Sequence, residues 1–195
     1  MPLLSKELKE SGFAKSSGGG NYLKLSNVSE GDKVRFTILG DNSIVGHQVW
    51  IDGPEKGIPL NFKDVPSSSD IEERAAEVNG KPRVDAEIKK FMAFAIWNYE
   101  DQKVQLFQFT QTSIATPLIA YLSDEEIEAE TELYDFVLSA TGTNMDKRYS
   151  VTALPGRRRK ADVNKQVEAA WGEAMGDGFD LTRLFSGADP FKAPF

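Results

Sequence analysis

Residues 91–122 constrain the fold more than any other part of the chain. Two aromatic and apolar runs of strand length, residues 91–99 and 103–110, are separated by a short polar break, which is typical of a β-hairpin. The period then changes, because apolar residues recur at helical spacing after Thr112 and Ser113, either of which can serve as an N-cap. The stretch therefore predicts an antiparallel hairpin that leads directly into a helix.

Shorter runs on both sides of this unit predict further strands. In residues 33–39 apolar and polar side chains alternate, which is typical of a half-buried strand whose outer face carries Lys33 and Arg35. Gly40 and the two polar residues after it are expected to end that strand. The other predicted strands are residues 22–25, 44–51, 133–140 and 148–154.

The order of these elements predicts a mainly β fold. A small antiparallel five-stranded barrel with one internal helix, the oligonucleotide/oligosaccharide-binding (OB) fold, fits this order best, and an immunoglobulin-like sandwich or a generic α+β domain are the alternatives. The barrel is assigned to residues 21–160, with a long inserted loop at residues 54–90 that has one or two helical turns near residues 71–78. Residues 1–20 are expected to form a flexible arm, and residues 161–195 a helix and a mobile tail.

The composition excludes several kinds of site. Cysteine is absent and His47 is the only histidine, so disulfides, thiolate metal centres, histidine zinc sites and a Ser-His-Asp triad are not expected. No nucleotide-binding glycine motif or metalloprotease motif is present, and neither a cofactor nor catalytic activity is predicted. The chain also lacks an apolar run of membrane-spanning length and a charged-then-apolar leader, so no membrane association is expected.

The net charge of −7 argues against nucleic acid only when the charge distribution is ignored. Seven of the 30 acidic residues form one block, and the remaining 23 balance the 23 lysines and arginines, so a basic face can exist elsewhere. We interpret the block as a solvated loop or helix face. Its members are Asp124, Glu125, Glu126, Glu128, Glu130, Glu132 and Asp135.

Basic and aromatic residues alternate along the predicted strands and at their ends, which is the pattern of a groove for single-stranded nucleic acid: cations follow the backbone and rings stack on bases. The strand at residues 91–99 is apolar on both faces, so one face is expected to cover more than the core. Trp50 and Trp97 are the preferred stacking residues, followed by Tyr99. The full candidate set is Lys24, Lys33, Arg35, Trp50, Lys81, Arg83, Lys89, Lys90, Trp97, Tyr99, Arg148, Tyr149, Arg157, Arg158, Arg159 and Lys160.

Several motifs between residues 19 and 155 resemble the single-stranded DNA-binding proteins of tailed bacteriophages. The most specific are F-M-A-F-A-I-W-N-Y at 91–99 and K-V-Q-L-F-Q-F-T-Q-T-S-I at 103–114, with looser matches in G-G-N-Y-L-K-L at 19–25, V-R-F-T-I-L at 34–39, K-P-R at 81–83 and Y-S-V-T-A at 149–153. The resemblance implies an OB fold and sequence-tolerant DNA binding in phage replication, recombination or repair. It also implies a location in the cytoplasm of the infected bacterial host.

The end of the chain suggests a partner. Phe191, Pro194 and Phe195 resemble the tail with which bacterial single-stranded DNA-binding proteins dock on replication and repair enzymes. A tail that packs on the barrel or on a second subunit of a homo-oligomer is the alternative. Two other functions also remain open: a protein-interaction module that binds or inhibits a host enzyme through an acidic surface, and a hydrolase on an antiparallel β scaffold.

Overall fold

The computed structural model describes residues 20–124, 134–143, 146–154 and 160–192. The strands are β1 (Lys33–Asp52), β2 (Gly57–Phe62), β3 (Lys81–Pro82), β4 (Lys89–Asn98), β5 (Lys103–Phe109), β6 (Asp135–Thr141) and β7 (Arg148–Leu154). The helices are α1 (Ser68–Glu77), α2 (Thr112–Leu122) and α3 (Ala161–Gly176), and two short 3₁₀ helices span Leu25–Asn27 and Leu181–Ser186.

The seven strands form one antiparallel sheet in the order β5-β4-β1-β6-β7, and β2 and β3 pair with the far end of β1. Among the described strands β5 and β7 remain at opposite edges, so the sheet is open. The prediction of a mainly β fold is confirmed. The open sheet does not by itself establish the predicted five-stranded barrel, and β2 and β3, which belong to the presumed inserted loop, add two strands to it.

The central hairpin is confirmed as β4 and β5, with Met92 opposite Phe109 and Asn98 opposite Lys103. Helix α2 follows as predicted. Its N-cap is Gln111, which makes no side-chain capping bond, so the predicted cap at Thr112 or Ser113 is wrong by one or two residues.

Gly40 bends β1 instead of ending it, which corrects the prediction of two separate strands. The pairing of β1 with β4 shifts register between Ile38 and Ser43, as in a β-bulge. Gly40 has φ +64°, and a Cβ at this position would lie 2.9 Å from Cζ2 of Trp171. The bulge therefore needs glycine both for its backbone conformation and for the close approach of α3.

We expect Gly40→Ala to lower the free energy of unfolding by about 1–3 kcal/mol, because alanine is strained in the left-handed region. Gly172→Ala is the matched control: Gly172 lies in α3, and an added Cβ would meet nothing within 4 Å. Since alanine favours helix, the control should be stabilised by roughly 0.5–1 kcal/mol. Urea denaturation of both variants measures the difference, and equal stabilities would contradict the assigned bulge.

The sheet buries a hydrophobic core on each face of β4. On one face Phe94 and Ile96 pack with apolar residues of β1, β5, β6, β7 and α2. On the other face Phe91 and Trp97 pack with α3 and with the segment that follows it. The aromatic excess of β4 is therefore used by a second core within the same chain, so the inference that this face covers a ligand is wrong.

The segment after α3 corrects the prediction of a mobile tail. Phe179, Leu181 and Leu184 are buried in the second core. Arg74 of α1 donates a hydrogen bond of 2.9 Å from Nη1 to the carbonyl oxygen of Phe185. The described residues up to Lys192 thus pack on the sheet, because their apolar side chains cover the outer face of β4.

Residues 54–90 are more ordered than the predicted loop. They contain β2, α1 and β3, and Ala75 of α1 is buried against Ile51 and Leu60. The predicted helical turns near residues 71–78 are confirmed. Ser67 and Asp70 form a capping box, and the hydrogen bonds from Ser67 hold the pKa of Asp70 below its ordinary value.

The segment before β1 lies between the two open edges of the sheet, where a strand at residues 22–25 was predicted. Among the described residues its strand pairing is one bridge with β5, where Leu23 N donates to Leu106 O at 2.9 Å. On the other side, the Tyr149 hydroxyl of β7 donates to Leu25 O at 2.9 Å. The segment therefore links the edges through separate contacts.

Candidate nucleic-acid interface

A groove beside Trp50 joins candidate residues from distant parts of the sequence. This cavity of about 420 Å³ is called the Trp50 groove, and its lining residues are Tyr22, Leu23, Lys24, Leu25, Gln48, Trp50, Pro59, Gln108, Phe109, Thr110 and Gln111. A second hollow of about 450 Å³ contains Lys89 and Lys90 and shares Thr110 and Gln111 with the first. The two hollows are therefore neighbours. Lys89 lies opposite Gln48 in the pairing of β1 with β4 and shares its face of the sheet, whereas Lys90 lies opposite His47 on the other face.

Trp50 is exposed because it lies opposite Pro59 on β2, on the face of this strand pair that points away from α1. It is 43 % exposed, whereas large apolar side chains of the sheet are mostly buried. A Cβ on Gly57 would lie 3.2 Å from Cε3 of Trp50 and 2.7 Å from Nη2 of Arg83. Trp50 thus has a basic neighbour on one side and the groove on the other.

The basic residues of this surface differ in their ion pairs. Arg83 Nε lies 2.7 Å from Oδ1 of Asp52, and Lys89 Nζ lies 3.1 Å from Oε2 of Glu87. Within the described part of the chain, neither Lys24 nor Lys90 has an ion-pair partner, and both are exposed. These two lysines therefore keep their charge available for an anion.

Trp97 was predicted to stack on bases, and its position contradicts this. Its side chain is 2 % exposed and lies in the second core beneath α3 and the segment after it. A ring that is covered on the folded protein has no face for a base. Trp97 is therefore a core residue.

Arg35 and Tyr99 also have structural partners. Arg35 Nε donates to Oδ2 of Asp135 at 2.9 Å, and the guanidinium lies 4.5 Å from the Tyr99 ring centroid. The Tyr99 hydroxyl donates to Oδ1 of the same carboxylate at 2.8 Å. Arg35 neutralises a buried carboxylate and lies over the Tyr99 ring, so both side chains have a structural role, and their contact with DNA stays a prediction.

Asp135 also corrects the interpretation of the acidic block, since it is fully buried instead of solvated. Asp124 is exposed, in agreement with that interpretation. The other members of the block, Glu125, Glu126, Glu128, Glu130 and Glu132, lie outside the described residues.

The remaining candidates are scattered. The Tyr149 hydroxyl donates to the carbonyl oxygen of Leu25, a residue that lines the groove. Nζ of Lys147 lies 5.3 Å from the centroid of the Tyr149 ring. Lys33, Lys81, Arg148 and Lys160 are exposed and do not line the Trp50 groove. Phe191 packs against Phe179 at 4.9 Å between ring centroids. Arg157, Arg158, Arg159, Pro194 and Phe195 lie outside the described residues, so their roles stay predictions.

Sequence reasoning missed the amides of the groove. Gln48 and Gln108 line it, and both donate hydrogen bonds to Oδ1 of Asn61. The signal in the sequence is weak, because polar residues in strands are common on solvated faces. Only the pairing of Gln48 with Asn61 across β1 and β2 identifies them as part of one cluster.

Tyr22 contributes a neutral hydroxyl to the groove. Burial raises the pKa of Tyr22, and the nearby carboxylate of Asp189 adds to the shift. Its hydroxyl therefore stays protonated at neutral pH and adds no negative charge to the surface.

Neither a scan against models of known protein families nor a search of curated proteins gives a match to the chain. The resemblance to phage single-stranded DNA-binding proteins thus rests on the motifs of the sequence and stays a prediction. No described helix combines the length and the apolar character needed to cross a membrane.

Proposed function

We propose that this chain binds single-stranded DNA in the Trp50 groove. The observation that carries the proposal is an exposed indole, Trp50, in one groove with Lys24, an exposed lysine that has no ion-pair partner among the described residues. Single strands expose both bases and phosphates, so they match a ring for stacking and cations for the backbone. A duplex hides its base faces and would leave the Trp50 ring unused.

We further infer that five of the strands form an OB-type arrangement. Support comes from the long bent β1, which pairs with both β4 and β6, and from helix α2, which connects β5 to β6. In this arrangement β5 and β7 do not pair with each other, and the segment at residues 20–28 lies between them. The barrel is therefore partly open.

The sequence motifs extend the proposal to a biological setting. Together with the groove, they support a role in phage DNA replication, recombination or repair in the cytoplasm of the infected host. Recruitment of replication proteins through Phe195 and assembly into a homo-oligomer are separate proposals.

We expect Trp50→Ala to weaken binding to a labelled dT oligomer by about 1–3 kcal/mol, the usual value of one stacked base. Fluorescence anisotropy at two salt concentrations measures the affinity, and tryptophan quenching in the same titration reports stacking. Trp50→Phe should keep most of the affinity because the ring is retained.

Ile119→Ala is the matched control for this experiment, since Ile119 is a large exposed apolar residue on α2 that does not line the groove. Its affinity should equal that of the unaltered protein. Equal affinity of Trp50→Ala and Ile119→Ala, or equal binding of duplex and single strand, would refute the proposed function.

A further inference from the structure

Two glutamine side chains on the wall of the Trp50 groove are held by one buried asparagine. Gln48 Nε2 donates to Oδ1 of Asn61 at 3.1 Å, and Gln108 Nε2 donates to the same oxygen at 3.0 Å. Asn61 is 8 % exposed and lies opposite Gln48 in the pairing of β1 with β2. Strands β1, β2 and β5 therefore meet at this oxygen.

The shared oxygen sets the orientation of both glutamines. A carbonyl oxygen only accepts hydrogen bonds, so each glutamine must turn its amino group, not its own oxygen, toward Asn61. Each then keeps one acceptor, Oε1, and one N–H donor in the plane of its amide. Within the described residues neither Oε1 has a hydrogen-bond partner, and both side chains line the groove.

These amides lie close to the stacking ring. Gln48 and Trp50 are two residues apart on the same face of β1, a separation of roughly 7 Å at the usual strand rise. A base that rests on the Trp50 ring would thus have its edge within reach of an oriented amide.

We propose that Gln48 and Gln108 recognise adenine and give the groove a base preference. An amide with an adjacent donor and acceptor pairs in bidentate fashion with adenine, which offers its 6-amino group and a neighbouring ring nitrogen. Stacking and phosphate contacts accept any base and give at most a modest preference, which does not depend on the 6-amino group. The inference rests on the proposed binding of single strands and deepens it.

The test is a competition experiment. A labelled dT oligomer bound to the protein is displaced by unlabelled dT oligomers of equal length in which every third base is dA, dC or a purine that lacks the 6-amino group. The unaltered protein should bind the dA oligomer at least about 5-fold more tightly than the dC oligomer. The purine without the amino group should lose this advantage, because the donor to Oε1 is missing.

Gln48→Leu and Gln108→Leu provide the matched protein variants. Each keeps side-chain volume and removes one amide, so the ratio of the affinity for the dA oligomer to that for the dC oligomer should fall toward one. Gln108 is the more exposed of the two, so its variant tests the proposal even where Gln48→Leu fails to fold.

The outcomes separate the two proposals. Equal affinity of the unaltered protein for the dA and dC oligomers, or a preference for dA that survives in the glutamine variants, overturns adenine recognition and leaves single-strand binding intact. Failure to bind any of the single strands overturns the proposed function itself.

Discussion

Removal of residues 177–195 should lower the melting temperature by about 10–20 °C. This segment buries Phe179, Leu181 and Leu184 against the outer face of β4. Each fully buried side chain of this size contributes about 1.5–3 kcal/mol, and about 1 kcal/mol corresponds to a shift of 2–4 °C in a chain of this length. Truncation would also expose Phe91 and Trp97, which the segment covers together with α3.

Point variants distinguish a packing effect from a general effect of shortening the chain. Leu184→Ala should lower the free energy of unfolding by about 2–5 kcal/mol, because it leaves a cavity in the second core. Ile119→Ala removes an aliphatic side chain of the same size from an exposed site and should change stability by less than about 0.5 kcal/mol. Thermal unfolding followed by circular dichroism measures all three variants. An unchanged melting temperature after truncation would show that the segment does not stabilise the sheet.

The sequence was sufficient to predict elements that depend on neighbouring residues. The β4–β5 hairpin and α2 follow from periodicities over about ten residues and from a short polar turn, so their bounds were predicted to within two residues. The helix in residues 54–90 was also found, because its apolar spacing is local.

The second core could not be predicted in the same way. A strand that is apolar on both faces has the same sequence whether the outer face meets a ligand or another part of the chain. The covering residues Leu181 and Leu184 follow a glycine-rich break at Gly176 and Gly178, which is equally typical of a mobile tail. The contact depends on chain topology, and no local pattern encodes it.

Chain topology also decides which candidate site residues line the groove and which are buried. Trp50 and Trp97 both lie in aromatic strand segments, and only the position of α3 and the segment after it separates the exposed ring from the buried one. Lys24 reaches the groove because residues 20–28 lie along the edge of β5. The shared oxygen of Asn61 likewise joins three strands that no short motif connects.

Arg35→Leu should lower the free energy of unfolding by about 2–4 kcal/mol, because it leaves a fully buried carboxylate without its partly exposed counter-charge. Asp135 is fully buried, and without Arg35 its carboxylate would keep the hydrogen bond from the Tyr99 hydroxyl but lose its counter-charge. The change also removes the cation from the Tyr99 ring. Urea denaturation measures this loss.

The double variant Arg35→Leu/Asp135→Leu should recover much of the stability, since it leaves no unpaired buried charge.

Lys24→Ala is the comparison for DNA binding: Lys24 is exposed in the Trp50 groove and has no ion-pair partner among the described residues. It should leave stability unchanged and reduce the slope of log affinity against log salt by about 0.7 if it contacts one phosphate. Folded Arg35→Leu should keep the full slope of log affinity against log salt, because in the unaltered protein the Arg35 guanidinium is paired with the Asp135 carboxylate. A reduced slope in Arg35→Leu with unchanged stability would instead restore Arg35 as a phosphate contact.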